Sequence, residues 1–117
     1  METRAKKLLF DVLTSGRCIL QWCSGRTFAE YEKDRQFRRS VEREFEIIGE
    51  ALGRLQQADP AVAGRIDELH RIISFRNRII HGYDTIDDAA VWGVAESDLP
   101  RLVAEVEALL EETGKAL

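Results

Sequence analysis

Apolar residues in the first part of the chain return every three or four positions: Leu8, Leu9, Val12, Leu13, Ile19, Leu20 and Cys23. That spacing gathers them on one stripe and predicts an amphipathic helix, ended by Ser24-Gly25-Arg26. Thr27 and Glu30 stand at capping-box spacing, where hydroxyl and carboxylate satisfy free amides at a new helix start, and a short helix around Phe28 and Tyr31 follows. Phe37, Val41, Phe45, Ile48, Leu52 and Leu55 mark a second long helix. Asp59-Pro60 restarts the chain, Asp as a cap and Pro at the first helical position. A third helix then carries Ile66, Leu69, Ile72, Ile73, Ile79 and Ile80 to a stop at Gly82. Asp87-Asp88 can cap a last helical region running from Val91 and Trp92 to Leu109 and Leu110, which Pro100 should kink or split. No segment alternates with period two, and no repeat or low-complexity stretch breaks the pattern. The expected fold is all-α: one domain over residues 1–117, core roughly 4–113, built as a bundle of four to five helices.

Composition narrows this without changing it. At 44% apolar and 32% charged residues, with few Pro and Gly, the chain suits a globular domain. No apolar run is long enough for a signal peptide or a membrane span, so no membrane partner is expected and the cytoplasm is the expected compartment. Cys18 and Cys23 lie five positions apart on a helix, pointing in different directions, which is poor geometry for a disulfide and suggests core thiols. His70 and His81 are far from those cysteines and from each other, so neither a zinc site nor a cofactor is expected. A net charge of −4 argues against a uniformly positive surface for nucleic acid. The distribution is less hostile. Basic residues cluster between residues 33 and 43 and again between 65 and 81, while the acid excess falls between Asp84 and Glu112. Taken alone, either basic cluster reads as a solvated helix face.

The chemistry concentrates in Arg76-Asn77-Arg78-Ile79-Ile80-His81-Gly82-Tyr83. Arg76 is a cation that never loses its proton; His81 is an imidazole that can. Together they suit metal-independent cleavage of a phosphodiester by its neighbouring 2′-hydroxyl, which needs proton transfer and stabilisation of the charge building on the phosphate. On a helix Asn77 and His81 share a face, whereas Arg76 and His81 diverge by about 140°. A long arginine side chain, or a second copy of the same helix in a two-fold dimer, would bring them together. His81 also stands near a helix C-terminus, where the dipole favours a cation. Arg78, one residue off the Asn77/His81 face, could contact an RNA backbone. Read locally, Arg76 could instead be a surface arginine, His81 a helix-end histidine, Asn77 a capping amide and Tyr83 a loop anchor.

The string R-N-x-x-x-H-x-Y resembles the signature of HEPN ribonucleases, and the Tyr two places after the His resembles their HepT-like toxin branch. Glu46-Ile47-Ile48-Gly49-Glu50-Ala51 is similar to the I-G-E-A segment of that branch, with Tyr31 and Asp34 before it and Ile86-Asp87 and Trp92 after the motif. The similarity runs from roughly Lys7 to Leu110. It implies an endoribonuclease toxin with Arg76 and His81 catalytic and Asn77 supporting. It further implies a cognate minimal nucleotidyltransferase antitoxin that adenylylates Tyr83, and a homodimer acting on RNA. HEPN domains also serve as non-catalytic helper or substrate-binding subunits of nucleotidyltransferases, which is the alternative. A structural role is expected for Gly49, in close helix packing, and for Glu50; Trp92 is expected in the core or at a dimer interface.

Overall fold

The computed structural model describes residues 1–82, 84 and 86–115. Among them the chain forms seven helices and no strand: α1 (Thr3–Cys23), α2 (Phe28–Lys33), α3 (Arg35–Ala58), α4 (Pro60–Ala63), α5 (Leu69–His81), α6 (Asp88–Glu96) and α7 (Asp98–Lys115). Five are of ordinary length and make the bundle. The other two, α2 and α4, are one or two turns each.

Local chemistry explains where the helices start. The Thr27 hydroxyl accepts from the Glu30 amide at 3.2 Å and the Glu30 carboxylate from the Thr27 amide at 3.1 Å, closing the expected capping box on α2. Asp34 caps α3 through the Phe37 amide at 3.0 Å, and Asp59 caps α4 through the Val62 amide at 3.2 Å. Asp87 accepts from the Ala89 and Ala90 amides at the start of α6. The last helical region is split at Ser97, and Pro100 sits in the first turn of α7, where its missing amide costs no intrahelical bond.

One expectation needs revising. The third helix does not run unbroken from Pro60 to Ile80: α4 ends at Gly64, and the chain turns before α5 begins at Leu69. Ile66 nevertheless remains buried from this turn. Apolar spacing places Ile66 in the core, where it lies, and on a helix, where it does not, because periodicity reports burial and not the backbone that delivers it.

Helix α3 is the centre of the bundle. It packs against α1 on one side and α5 on the other, while α7 covers the far side of α1 and α6 rests on α7. Val41, Phe45, Ile48, Leu52 and Leu55 of α3 are fully buried, as are Leu9, Val12 and Ile19 of α1. Each such side chain removed from water contributes about 1.5–3 kcal/mol. The Phe45 and Phe75 rings meet edge to face at 5.2 Å, fastening α5 to α3. Trp92 belongs to the core, 5.3 Å from the Tyr31 ring and 6.3 Å from Phe37, so α6 is anchored onto α2 and α3. Neither cysteine forms a disulfide, and both are half-buried. No helix among the described residues is long and apolar enough to cross a membrane.

Candidate active site

Helix α5 delivers Arg76, Asn77, Arg78 and His81 on its last two turns and stops at Gly82, whose amide donates to the Arg78 carbonyl at 2.9 Å. Buried Leu69, Ile72, Phe75 and Ile79 hold one face of the helix to the core, so the intervening polar residues are turned outward. Asn77, Arg78 and His81 line a cleft of about 480 Å³ with an apolar lining from Phe75 and Ile79. The opposite wall comes from the start of α6, at Asp87, Ala90 and Val91. Arg78 and His81 both lie in the last turn of α5, where the unpaired carbonyls favour positive charge, and Arg78 makes no ion pair with a described residue.

Arg76 takes a different course, as the helical angle required. Its aliphatic stem lies against α3 at Gly49, so close that a Cβ placed on residue 49 would sit 2.2 Å from Arg76 Cβ and 2.4 Å from Cγ. Only glycine admits this crossing, which gives Gly49 the packing role expected of it. The Arg76 guanidinium then reaches Asn77: Nη1 donates to the Asn77 side-chain oxygen at 3.1 Å. Its Nε is buried and has no hydrogen-bond partner among the described residues. A buried donor left in that state carries a desolvation cost of about 1–3 kcal/mol, and such groups call for a functional explanation.

Within one chain, then, Asn77, Arg78 and His81 share a cleft and Arg76 is tied to them through the Asn77 amide. Tyr83 lies outside the described residues. Glu50 is exposed and pairs with Arg54, one turn along α3, at 2.8 Å. His70 is exposed on α5. Among the described residues, no group of three or more His, Cys, Asp or Glu side chains is placed to hold a metal ion.

The α6 wall of the cleft was not legible in the sequence as part of a site. Asp87 reads as a helix cap, and it is one; nothing in its spacing says that the capped turn faces His81. A second omission is Asp98, whose side chain is only 3% exposed and pairs with Arg71 at 3.2 Å and with Arg101 at 3.3 Å. The Arg101 pair is an ordinary i,i+3 contact within α7, but the Arg71 pair joins α5 to the start of α7, and helical spacing within either element does not encode it.

Comparison with known proteins gives a consistent set of relatives. A family profile described as "Ribonuclease HepT-like" matches residues 12–109. A Methanocaldococcus jannaschii protein named "Putative RNase MJ1380" is 28% identical over 106 residues, covering 87% of this chain and 93% of its own. A second from that organism, "Putative RNase MJ0127", is 25% identical over 111 residues, covering 92% of this chain and 88% of its own. "Putative RNase TTE0752" of Caldanaerobacter subterraneus subsp. tengcongensis is 24% identical over 104 residues, covering 89% and 92%. No solved structure gives a significant match.

Proposed function

This chain belongs to the HepT-like ribonuclease family, and from that premise we propose that it is a metal-independent endoribonuclease acting as the toxin of a toxin–antitoxin pair in the cytoplasm. The observation that carries the reading is the partition on α5: a titratable His81 and an exposed Arg78 in one cleft, and Arg76 bonded to Asn77 with a buried donor that has no partner among the described residues.

The RNA 2′-hydroxyl attacks the adjacent phosphorus while an imidazole takes its proton; the bond from phosphorus to the 5′-oxygen breaks, and that oxygen leaves with a proton from a second acid. A cyclic 2′,3′-phosphate and a 5′-hydroxyl result. His81 serves as the proton-transfer group and Arg76 as the fixed cation for the charge developing on the phosphoryl oxygens. Asn77 supports Arg76 through their hydrogen bond. Arg78, exposed at the cleft, contacts the RNA backbone. A two-fold homodimer with the α5 helices facing each other supplies two histidines, one as base and one as acid, together with two arginines.

Control falls to a cognate minimal nucleotidyltransferase, the antitoxin. The Tyr83 phenol attacks the α-phosphorus of ATP, losing its proton as pyrophosphate departs, and the adenylyl group so attached adds negative charge and bulk two residues after His81 in the chain. This part rests on the motif at residues 76–83 and on family membership.

Purified wild type, Arg76→Ala and His81→Ala, incubated with total RNA in chelator, test the reading. Loss of the histidine should cost about 10² to 10⁴ in rate, with helicity retained. A folded His81→Ala protein that cuts at the wild-type rate removes the catalytic assignment.

A further inference from the structure

A second hollow, of about 380 Å³, lies beside the His81 cleft and shares Phe75, Arg78 and Ala90 with it. It runs from Arg78 to Arg71, Ser97 and Asp98. Because α5 and α6 barely touch, the two hollows form one groove between these helices. Its α5 side carries a polar stripe: Arg71, Arg78 and His81 fall within an arc of roughly 80°, over a length of about 15 Å. Both carboxylates lining the groove are already engaged. Asp87 caps α6, and buried Asp98 binds Arg71 Nε through one oxygen and Arg101 through the other. Asp98 thereby positions Arg71 at the groove's end, while the Arg71 side chain stays 67% exposed.

We propose that this groove is an extended binding track for single-stranded RNA, with Arg71 as a phosphate-contacting residue beyond the reacting centre. A strand whose reacting phosphate lies at His81 continues past Arg78 to Arg71. The stripe spans about four nucleotides at a stacked rise of roughly 3.4 Å each. Arg78 at the middle and Arg71 at one end, with Asp98 paired to arginines, Asp87 held by backbone amides and apolar wall from Phe75, Ile79 and Val94, fit a polyanion whose flat bases can lie on that wall. This rests on the RNA-cleaving reading, and the test separates the two.

Binding is measured by fluorescence anisotropy with the His81→Ala chain and labelled single-stranded RNAs of about three and about ten nucleotides, across a range of salt concentrations. Adding Arg71→Ala should weaken binding of the longer RNA roughly five- to tenfold and reduce the salt slope by about 0.7. The short RNA should be unaffected. Arg71→Lys should recover most of the loss, and Arg17→Ala, on α1 and paired with Glu107, should change neither RNA. In the otherwise wild-type chain, Arg71→Ala should raise KM and leave kcat unchanged. Unchanged affinity and salt slope with the longer RNA overturn the proposal. So does equal loss on both RNAs, or a shift of oligomeric state in light scattering without loss of RNA binding, which would make the groove the seat of a second copy. A wild type that cuts no RNA, yet binds the longer strand through Arg71, defeats the catalytic reading and leaves the track standing.

Discussion

Arg76 crosses α3 where Gly49 has no side chain, so the position of its guanidinium depends on an atom that is absent from another helix. Gly49→Ala should therefore act twice. Overpacking of the crossing lowers stability by about 1–3 kcal/mol, and the displaced Arg76 slows cleavage more than the lost stability explains; urea denaturation alongside single-turnover cleavage reads both. A Gly49→Ala protein with unchanged cleavage would uncouple the crossing from the chemistry. Burial pushes the Cys23 thiol up to about 11, with Arg26 opposing and Glu96 adding to the shift. Its alkylation at neutral pH should be slow and should keep accelerating well above pH ~8.5, the ordinary thiol value; a plateau near that value contradicts the burial. At this scale the shared face of Asn77 and His81 was legible, because helical spacing alone sets it, and both side chains line the cleft. Arg71 was not, since its placement comes from Asp98 on a distant helix.

Helix boundaries were legible wherever a side chain caps its own helix, as at Thr27, Asp34, Asp59 and Asp87. They were lost where the core is filled from a turn, as at Ile66. The contact of α3 with its surroundings also sets a pH dependence. Burial outweighs the neighbouring Arg39, holding Glu42 above the usual carboxylate range. The fold then binds this proton more tightly than the unfolded chain does, so ionisation of Glu42 penalises the fold as pH rises through the raised value. Below the ordinary glutamate range the penalty is absent. Glu42→Gln should thus improve the urea midpoint, relative to wild type, more at about pH 7 than at about pH 4; a difference that shrinks as pH rises contradicts this. Tyr31 offers a related case on α2: its hydroxyl is buried with no hydrogen-bond partner among the described residues. Tyr31→Phe removes an unsatisfied group and keeps the ring packing with Trp92, so stability should be unchanged or gain about 1 kcal/mol. A loss of more than that in thermal unfolding would mean the hydroxyl has a partner.

The molecule measures 46 × 29 × 20 Å, and its short dimension equals about two helix diameters. In so thin a bundle α3 is the one helix on which α5 packs closely among the described residues, leaving its motif-bearing side at the surface. An acidic chain of this shape gains a concentrated positive site most simply by pairing two α5 helices about a twofold axis. Light scattering at micromolar concentration should return a dimer, and a monomer that still cuts RNA would contradict the composite cleft. The bundle itself was legible from apolar periodicity; the groove between α5 and α6 was not, because it is defined by two helices failing to pack. The most direct measurement is the chemistry of the product ends after purified protein cleaves a defined RNA in chelator. Attack by the 2′-hydroxyl requires 2′,3′-cyclic phosphate, or the phosphate from its opening, with a 5′-hydroxyl on the other fragment. Fragments ending in 3′-hydroxyl and 5′-phosphate, or cleavage that chelator abolishes, would contradict the account.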